Sequence, residues 1–301
     1  MDGGVNLPPG LTWRFGTPDD VDVITDLVAS VEARYDGVVE IDRSDVVADF
    51  GRLDYDVTKD LVLVYDGETA VAWADVYKDR SERDVRPSHH RRGIGTALAR
   101  WSEERARELG VERISQTVTD HNADARELLL ANGYEATRWA WILEIRFDGP
   151  PPEQPTPPGI SIRPYDDRDA HDAYELVEEA FGEWEGRRPM TFDEWAWLPR
   201  HEAFAPELSR LAFEGDELVG VVLAFDYTSA DEGWVQQVAT RASHRNRGIA
   251  RALLYETFRA FHERGKARCG LSTDSRTGAL ALYERVGMHV RRSYTTYAKT
   301  L

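Results

Sequence analysis

Two short stretches of the chain bring together the residue types that hold a polyphosphate. One is Arg245-Asn246-Arg247-Gly248-Ile249-Ala250, and the other is His90-Arg91-Arg92-Gly93-Ile94-Gly95-Thr96. From Thr240 to Tyr255 there is no acidic residue, while Arg241, Arg245, Arg247 and Arg251 are present. From Arg86 to Arg100 acids are again missing. In a chain of net charge −17, two acid-free basic windows point to an anion. Trp234 to Thr240 alternates like a strand, and Leu253, Leu254, Phe258 and Phe261 recur like one face of a helix. A strand, a tight loop and a helix leave unpaired N–H groups at the helix start. Those donors and the helix dipole suit a pyrophosphate. Gly248 and Ala250 let a ligand approach the backbone closely. The alternative, a plain turn with solvated arginines, would have to arise twice at one place in two similar segments. A Walker loop needs a lysine that neither stretch has, and a dinucleotide fingerprint needs glycine where Leu98 or Leu253 stands.

The elements that would position these loops occur twice. Residues 147–159 contain prolines at 150, 151, 152, 155, 157 and 158, which cannot continue a helix or a central strand. The run 149–159 reads as a semi-rigid linker between domains 1–148 and 160–301. Leu11-Thr12-Trp13-Arg14 opens the first half and Ile160-Ser161-Ile162-Arg163 the second, each before a polar turn and an amphipathic helix. A hairpin around Asp66-Gly67-Glu68 matches one around Glu214-Gly215-Asp216-Glu217. Gly93 matches Gly248, and Gly133 matches Gly287, with nearly the same spacing inside each half. The chain is therefore an α/β domain written twice.

Composition sets the outer bounds. With 301 residues, 42% hydrophobic and 30% charged, the chain has enough apolar material for two cores. The charge is −12 over residues 1–150 and −5 over 151–301. Such acidity disfavours nucleic acid and anionic membranes as partners. Cys269 is the one cysteine, so no internal disulfide forms, and no metal site is expected. The start of the chain lacks a signal-peptide pattern, and no apolar run approaches a membrane span. A cytoplasmic location and a monomer or homodimer are the expectation.

A second pattern follows each loop. The second half reads Arg276-Thr277-Gly278-Ala279-Leu280-Ala281-Leu282-Tyr283-Glu284-Arg285-Val286-Gly287-Met288. The first reads Asn122-Ala123-Asp124-Ala125-Arg126-Glu127-Leu128-Leu129-Leu130-Ala131-Asn132-Gly133-Tyr134. Loop and pattern together resemble the GNAT family of N-acetyltransferases over nearly the whole chain, in two copies. The tandem layout is similar to that of mycothiol synthase-type acetyltransferases. The resemblance implies two GNAT-like domains, each a mixed, mostly antiparallel twisted sheet flanked by helices. It also implies acetyl-CoA as cosubstrate, its pyrophosphate on the loop from Arg245 to Arg251 with Arg276 near by. Val238 and Thr240 would hold the acetyl and pantetheine groups through the backbone. In the first copy these places fall to Val85, His90 to Thr96 and Asn122.

The family reaction is direct attack of an amine on the thioester, without a covalent intermediate. Tyr283, by its place in the pattern, would give the departing thiolate its proton; the alternative is a core aromatic. The strand positions that could carry a base hold Trp234 and Gln236, so Glu232 or Asp231 at its start are the nearest carboxylates. The first copy has Leu129 in place of the tyrosine and is expected to bind without turnover, although Asp79 lies where a base can sit. Glu183, Trp184, Glu185 and Trp195 suit an acceptor wall for a cationic amine. An amphipathic helix with buried tryptophans explains them equally. Three functions stay open: a small-molecule N-acetyltransferase, an acyl-CoA-binding sensor or scaffold, and a protein or peptide N-acetyltransferase.

Overall fold

The computed structural model describes residues 4–184, 187–227 and 231–301. Glu185 lies outside these described residues. The chain forms two compact units. Its elements run β1 (Leu11–Phe15), α1 (Val21–Tyr35), α2 (Arg43–Phe50), α3 (Val57–Asp60), β2 (Leu61–Asp66), β3 (Thr69–Asp75) and β4 (Arg83–Val85). Then come α4 (Ile94–Glu108), β5 (Arg113–Thr119), α5 (Ala123–Ala131) and β6 (Glu135–Arg146). The second series is β7 (Ile160–Pro164), α6 (Ala170–Phe181), α7 (Phe192–Trp195), α8 (Trp197–Arg200), β8 (Arg210–Glu214) and β9 (Glu217–Asp226). It ends with β10 (Glu232–Thr240), α9 (Ile249–Glu263), β11 (Arg268–Asp274), α10 (Leu280–Arg285) and β12 (His289–Thr300). No helix among the described residues is long and apolar enough to cross a membrane.

The units do not follow the two halves of the sequence. The first holds the residues up to Trp139 together with Tyr294–Leu301, and the second is Ala140–Ser293. The first unit therefore takes its last strand from the chain's end: Tyr294 to Thr300 pairs antiparallel with Thr119 to Arg113 of β5. Tyr297 is buried in the first core, and Lys299 binds Glu103 at 2.8 Å. The second unit takes Ala140 to Arg146, which pairs with β11. The two-strand trade is invisible to local pattern, because either segment reads as a strand in either place. Residues 149–159 lie inside the second unit. They lie against α9: Gln154 accepts from Arg251 Nε at 3.1 Å, and Glu153 meets Arg259 at 3.6 Å.

In the first unit β1, β2, β3 and β4 form an antiparallel sheet. Val62, Val64, Ile94 and Leu98 fill the space toward α4, and Leu27, Leu61, Leu63 and Trp73 the space toward α1. The second unit repeats this arrangement. Its β7, β8, β9 and β10 are antiparallel, and β10 then pairs parallel with β11. Strand β9 is apolar on both faces, as a central strand with helices on either side must be. Phe258, Phe261 and Leu253 of α9 cover one face; Leu176 and Val177 of α6 cover the other. Each unit is mostly antiparallel sheet flanked by helices, with the parallel element a ladder between β10 and β11 in the second and a single bridge from Arg80 to Ser115 in the first.

Two glycines set how closely α9 approaches. A Cβ on Gly220 of β9 would stand 2.9 Å from Ile249 Cγ2 and 3.0 Å from Leu253 Cδ1. A Cβ on Gly233 of β10 would overlap the ring of Phe261. Gly233→Ala is expected to cost about 1–3 kcal/mol by overpacking, read as a lower denaturant midpoint of the second unit.

Candidate functional site

The second unit contains a cleft of about 970 Å³. Its cause is a failure of strand pairing. Glu232 to Val235 of β10 run in register with Arg268 to Leu271 of β11, and the pairing stops there. An irregularity at Gln236, between Val235 and Gln237, turns β10 away while it stays bonded to β9. Gln236 to Thr240 and Ser272 to Asp274 then face each other across the opening. Backbone groups on these facing edges lack a neighbouring strand. Thr240 Oγ1 is also buried without a hydrogen-bond partner. The opening is thus built to be filled by a polar chain.

The basic loop closes one end. Asn246 has φ of +62° and Gly248 of +83°, both in the left-handed region. Such residues curl successive N–H groups into one concave turn. The first bond of α9 runs from Ala252 N–H to the carbonyl of Gly248 at 3.0 Å. The amides before it have no helical acceptor, and Gly248 supplies no side-chain cap. Arg245, Asn246, Gly248, Ile249, Ala250, Arg251 and Arg276 all line the cleft. Arg247 does not; it turns to Glu214 at 2.6 Å, which His244 also holds. The neighbouring arginines are paired too, Arg245 with Glu183 at 2.7 Å and Arg276 with Asp274 at 2.6 Å. An incoming polyanion would exchange with these carboxylates, while the backbone donors are free from the start.

Tyr283 of α10 lines the same cleft although it is only 7% exposed. Burial pushes its phenol up to about 12, so the hydroxyl keeps its proton through the physiological range. Cys269 is fully buried in β11, and burial raises its thiol well above the usual range.

The expected base and part of the expected wall are elsewhere. Glu232 lies within the paired stretch of β10, with Arg291 at 3.0 Å and Arg268 at 3.2 Å, and it does not line the cleft. Asp231 accepts from the Ala267 N–H at 3.2 Å. Both stand before the point where the strands part, which is why they miss the opening. Glu183 and Trp184 do line the cleft. Trp184 stacks on Phe181 with ring centres 4.2 Å apart, and the Arg276 guanidinium is 6.0 Å from the Trp184 ring. Trp195 is core and not wall: it is 1% exposed, and its indole N–H donates to Gln237 Oε1 at 3.1 Å. Gln237 is thereby fixed in the cleft wall, a role that its spacing in the sequence does not signal.

The first unit has a smaller cleft of about 500 Å³, lined by Val85, His90, Arg91, Gly93, Ile94, Gly95, Thr96 and Asn122. The loop backbone repeats, with φ of +59° at Arg91 and +83° at Gly93. Its contents do not. Asp124 and Glu127 bind Arg91 at 2.7 and 2.8 Å, and Tyr35 donates to Asp124 at 2.5 Å. Arg92 leaves the cleft for Asp66 at 2.9 Å, and Asn122 caps α5 by accepting from the Ala125 N–H. Leu129 is buried in the core. Asp79 uses its backbone carbonyl to accept from Ser115 N–H at 2.8 Å. The repeat itself carries a signal for this difference: Asp124 and Glu127 stand where the second copy has Gly278 and Ala281.

A model of the acetyltransferase (GNAT) family matches residues 33–134 and 170–288. The GCN5-related N-acetyltransferase from Sphaerobacter thermophilus is 33% identical and superposes with a TM-score of 0.82, over 98% of this chain and 97% of that one. The mycothiol acetyltransferase of Pseudarthrobacter chlorophenolicus is 27% identical over 223 residues, which is 69% of this chain and 67% of that protein. A tandem GNAT protein from the clavulanic acid biosynthesis pathway shares the fold, with a TM-score of 0.71 at 16% identity, over 96% of this chain and 98% of that one.

The wall contact can be tested by itself. Gln237→Leu leaves the Trp195 N–H buried without its acceptor, at an expected cost of about 1–3 kcal/mol. Thermal melting should show the loss, and Gln237→Glu, which keeps an acceptor oxygen, should recover most of it.

Proposed function

The chain belongs to the GNAT acetyltransferase family, and from that premise we propose that it acetylates the primary amine of a small molecule in the cleft of its second unit. It is an acetyl-CoA-dependent N-acetyltransferase. The observation that carries the proposal is the convergence on one cleft of free loop amides, an unpaired strand edge and the Tyr283 phenol.

The residues fit the cosubstrate in parts. The loop from Arg245 to Arg251 offers backbone N–H groups to the diphosphate, with Arg245 and Arg276 as charge partners. The edge from Val238 to Thr240 offers main-chain groups to the pantetheine arm, and Thr240 Oγ1 gains a partner. A main-chain N–H on this edge polarises the thioester carbonyl. The amine nitrogen bonds to the carbonyl carbon, the C–S bond breaks, and the sulfur takes a proton from Tyr283. The nitrogen loses one proton in the same exchange, so the phenol is restored. Of the acids lining the cleft, Glu183 and Asp274 are each held by an arginine. A bound diphosphate would draw both arginines away; we assign neither acid as base, and the amine reacts from its neutral form. Glu183 and Trp184 form the acceptor side, where a carboxylate and an indole face suit a cationic amine before it loses its proton. The likeness to a mycothiol acetyltransferase supports a small acceptor. A sensor without turnover is the second reading, and Trp234 and Gln236 on the strand positions that could carry a base favour it.

Thiol release from acetyl-CoA against a panel of amines separates the two, because a sensor releases none. Tyr283→Phe is expected to lower kcat by about a hundredfold with unchanged acetyl-CoA affinity. Wild-type turnover in that variant would remove Tyr283 from the chemistry. The wild-type rate should climb with pH as the amine loses its proton and then hold level, since the phenol does not ionise until about 12.

A further inference from the structure

The first unit's cleft is altered at two places, and both work against a coenzyme. At the loop, Asp124 and Glu127 occupy the guanidinium of Arg91 and set negative charge where a diphosphate would sit. Between the strands, the Arg83 carbonyl accepts from Gln116 Nε2 at 3.1 Å, and the Arg83 guanidinium donates back to Gln116 Oε1 at 2.5 Å. Both side chains are buried, so this stitch closes the gap that stands open between β10 and β11.

A third change adds a group. Asp84 of β4 lines the cleft, and the repeat puts Ala239 at the same place in the second unit. Among the described residues, no lysine, arginine or histidine pairs with Asp84. Burial first, then the negative charge of Glu82 and Glu32, pushes its carboxyl up to about 7, against a lowering pull from the Trp73 indole N–H. Trp73 stands opposite in register across the strand pair, and its indole N–H is near enough to favour the carboxylate without completing a hydrogen bond. A half-buried carboxylate without a counter-charge is costly, and a ligand cation would offset that cost. Val31, Val85, Leu128 and Ala131 supply apolar lining in the same cleft, whose cations Arg83 and Arg91 are held by Gln116 and by Asp124 and Glu127.

We propose that the first cleft is a binding site for a small ammonium compound with an apolar body, its charge on Asp84, and that it does not take a coenzyme. The site uses residues of the first unit alone and does not rest on the reading of the second cleft.

Fluorine NMR on the full chain tests this with para-fluorobenzylamine and its neutral counterpart para-fluorobenzyl alcohol. The amine should bind and the alcohol should not. Asp84→Asn should weaken the amine on the order of tenfold. Melting of that variant should stay at or above the wild-type temperature, since an uncompensated charge is removed. Calorimetry with coenzyme A should find at most one equivalent per chain, unchanged in Arg91→Ala. The proposal fails if the amine does not bind, if the alcohol binds equally, or if Asp84→Asn leaves amine binding intact. It also fails if a second coenzyme equivalent appears, or if Arg91→Ala changes the coenzyme stoichiometry.

Discussion

The molecule is organised around the residue at which two parallel strands stop bonding. Up to Val235, β10 and β11 share a ladder; beyond it each presents backbone polar groups to an opening. Unpaired backbone in a partly buried place has to find partners. A ligand with amides and carbonyls along its length is one answer, and side chains bridging the gap are another. The loop, the helix start and the tyrosine take their meaning from that gap, because each borders it.

The duplicated scaffold displays both answers. The loop backbones agree closely at both left-handed positions, so the covalent geometry needed for an anion survives in each copy. What differs is which side chains fill the space. Gly278 and Ala281 leave the second loop clear, whereas Asp124 and Glu127 reach onto the first. Val238 leaves the second gap open, whereas Arg83 and Gln116 close the first. A backbone of one shape can thus be turned from anion to cation preference by a few side chains, without a new fold.

Much of this could be read from the chain. Glycine at a left-handed φ, a strand before it and a helix after it are local demands, and local demands leave local patterns. The two loops, the α/β class and the place of Tyr283 were accessible for that reason. Glu232 was not: whether a carboxylate on a strand faces a cleft depends on where pairing ends, which the strand's own residues do not state. Trp195 misled for a similar cause, since an indole beside acids fits a wall or a core equally until its neighbours are known. Asp84 was visible only by setting the two copies side by side and asking why alanine on one strand is aspartate on the other.

The exchange of strands bears on the order in which the protein can be made. A ribosome releases the chain from its first residue onward. The second unit has all its residues once Ser293 has emerged, but the first still lacks Tyr294–Leu301. The half synthesised first is therefore the last to finish. Until then β5 waits with a bare edge, Glu103 without Lys299, and the first core without Tyr297. A nascent chain in that state exposes an unpaired strand edge, the feature most prone to pair with the wrong partner. The acidic excess of residues 1–150 sets a mutual repulsion between copies whose first unit is still unfinished.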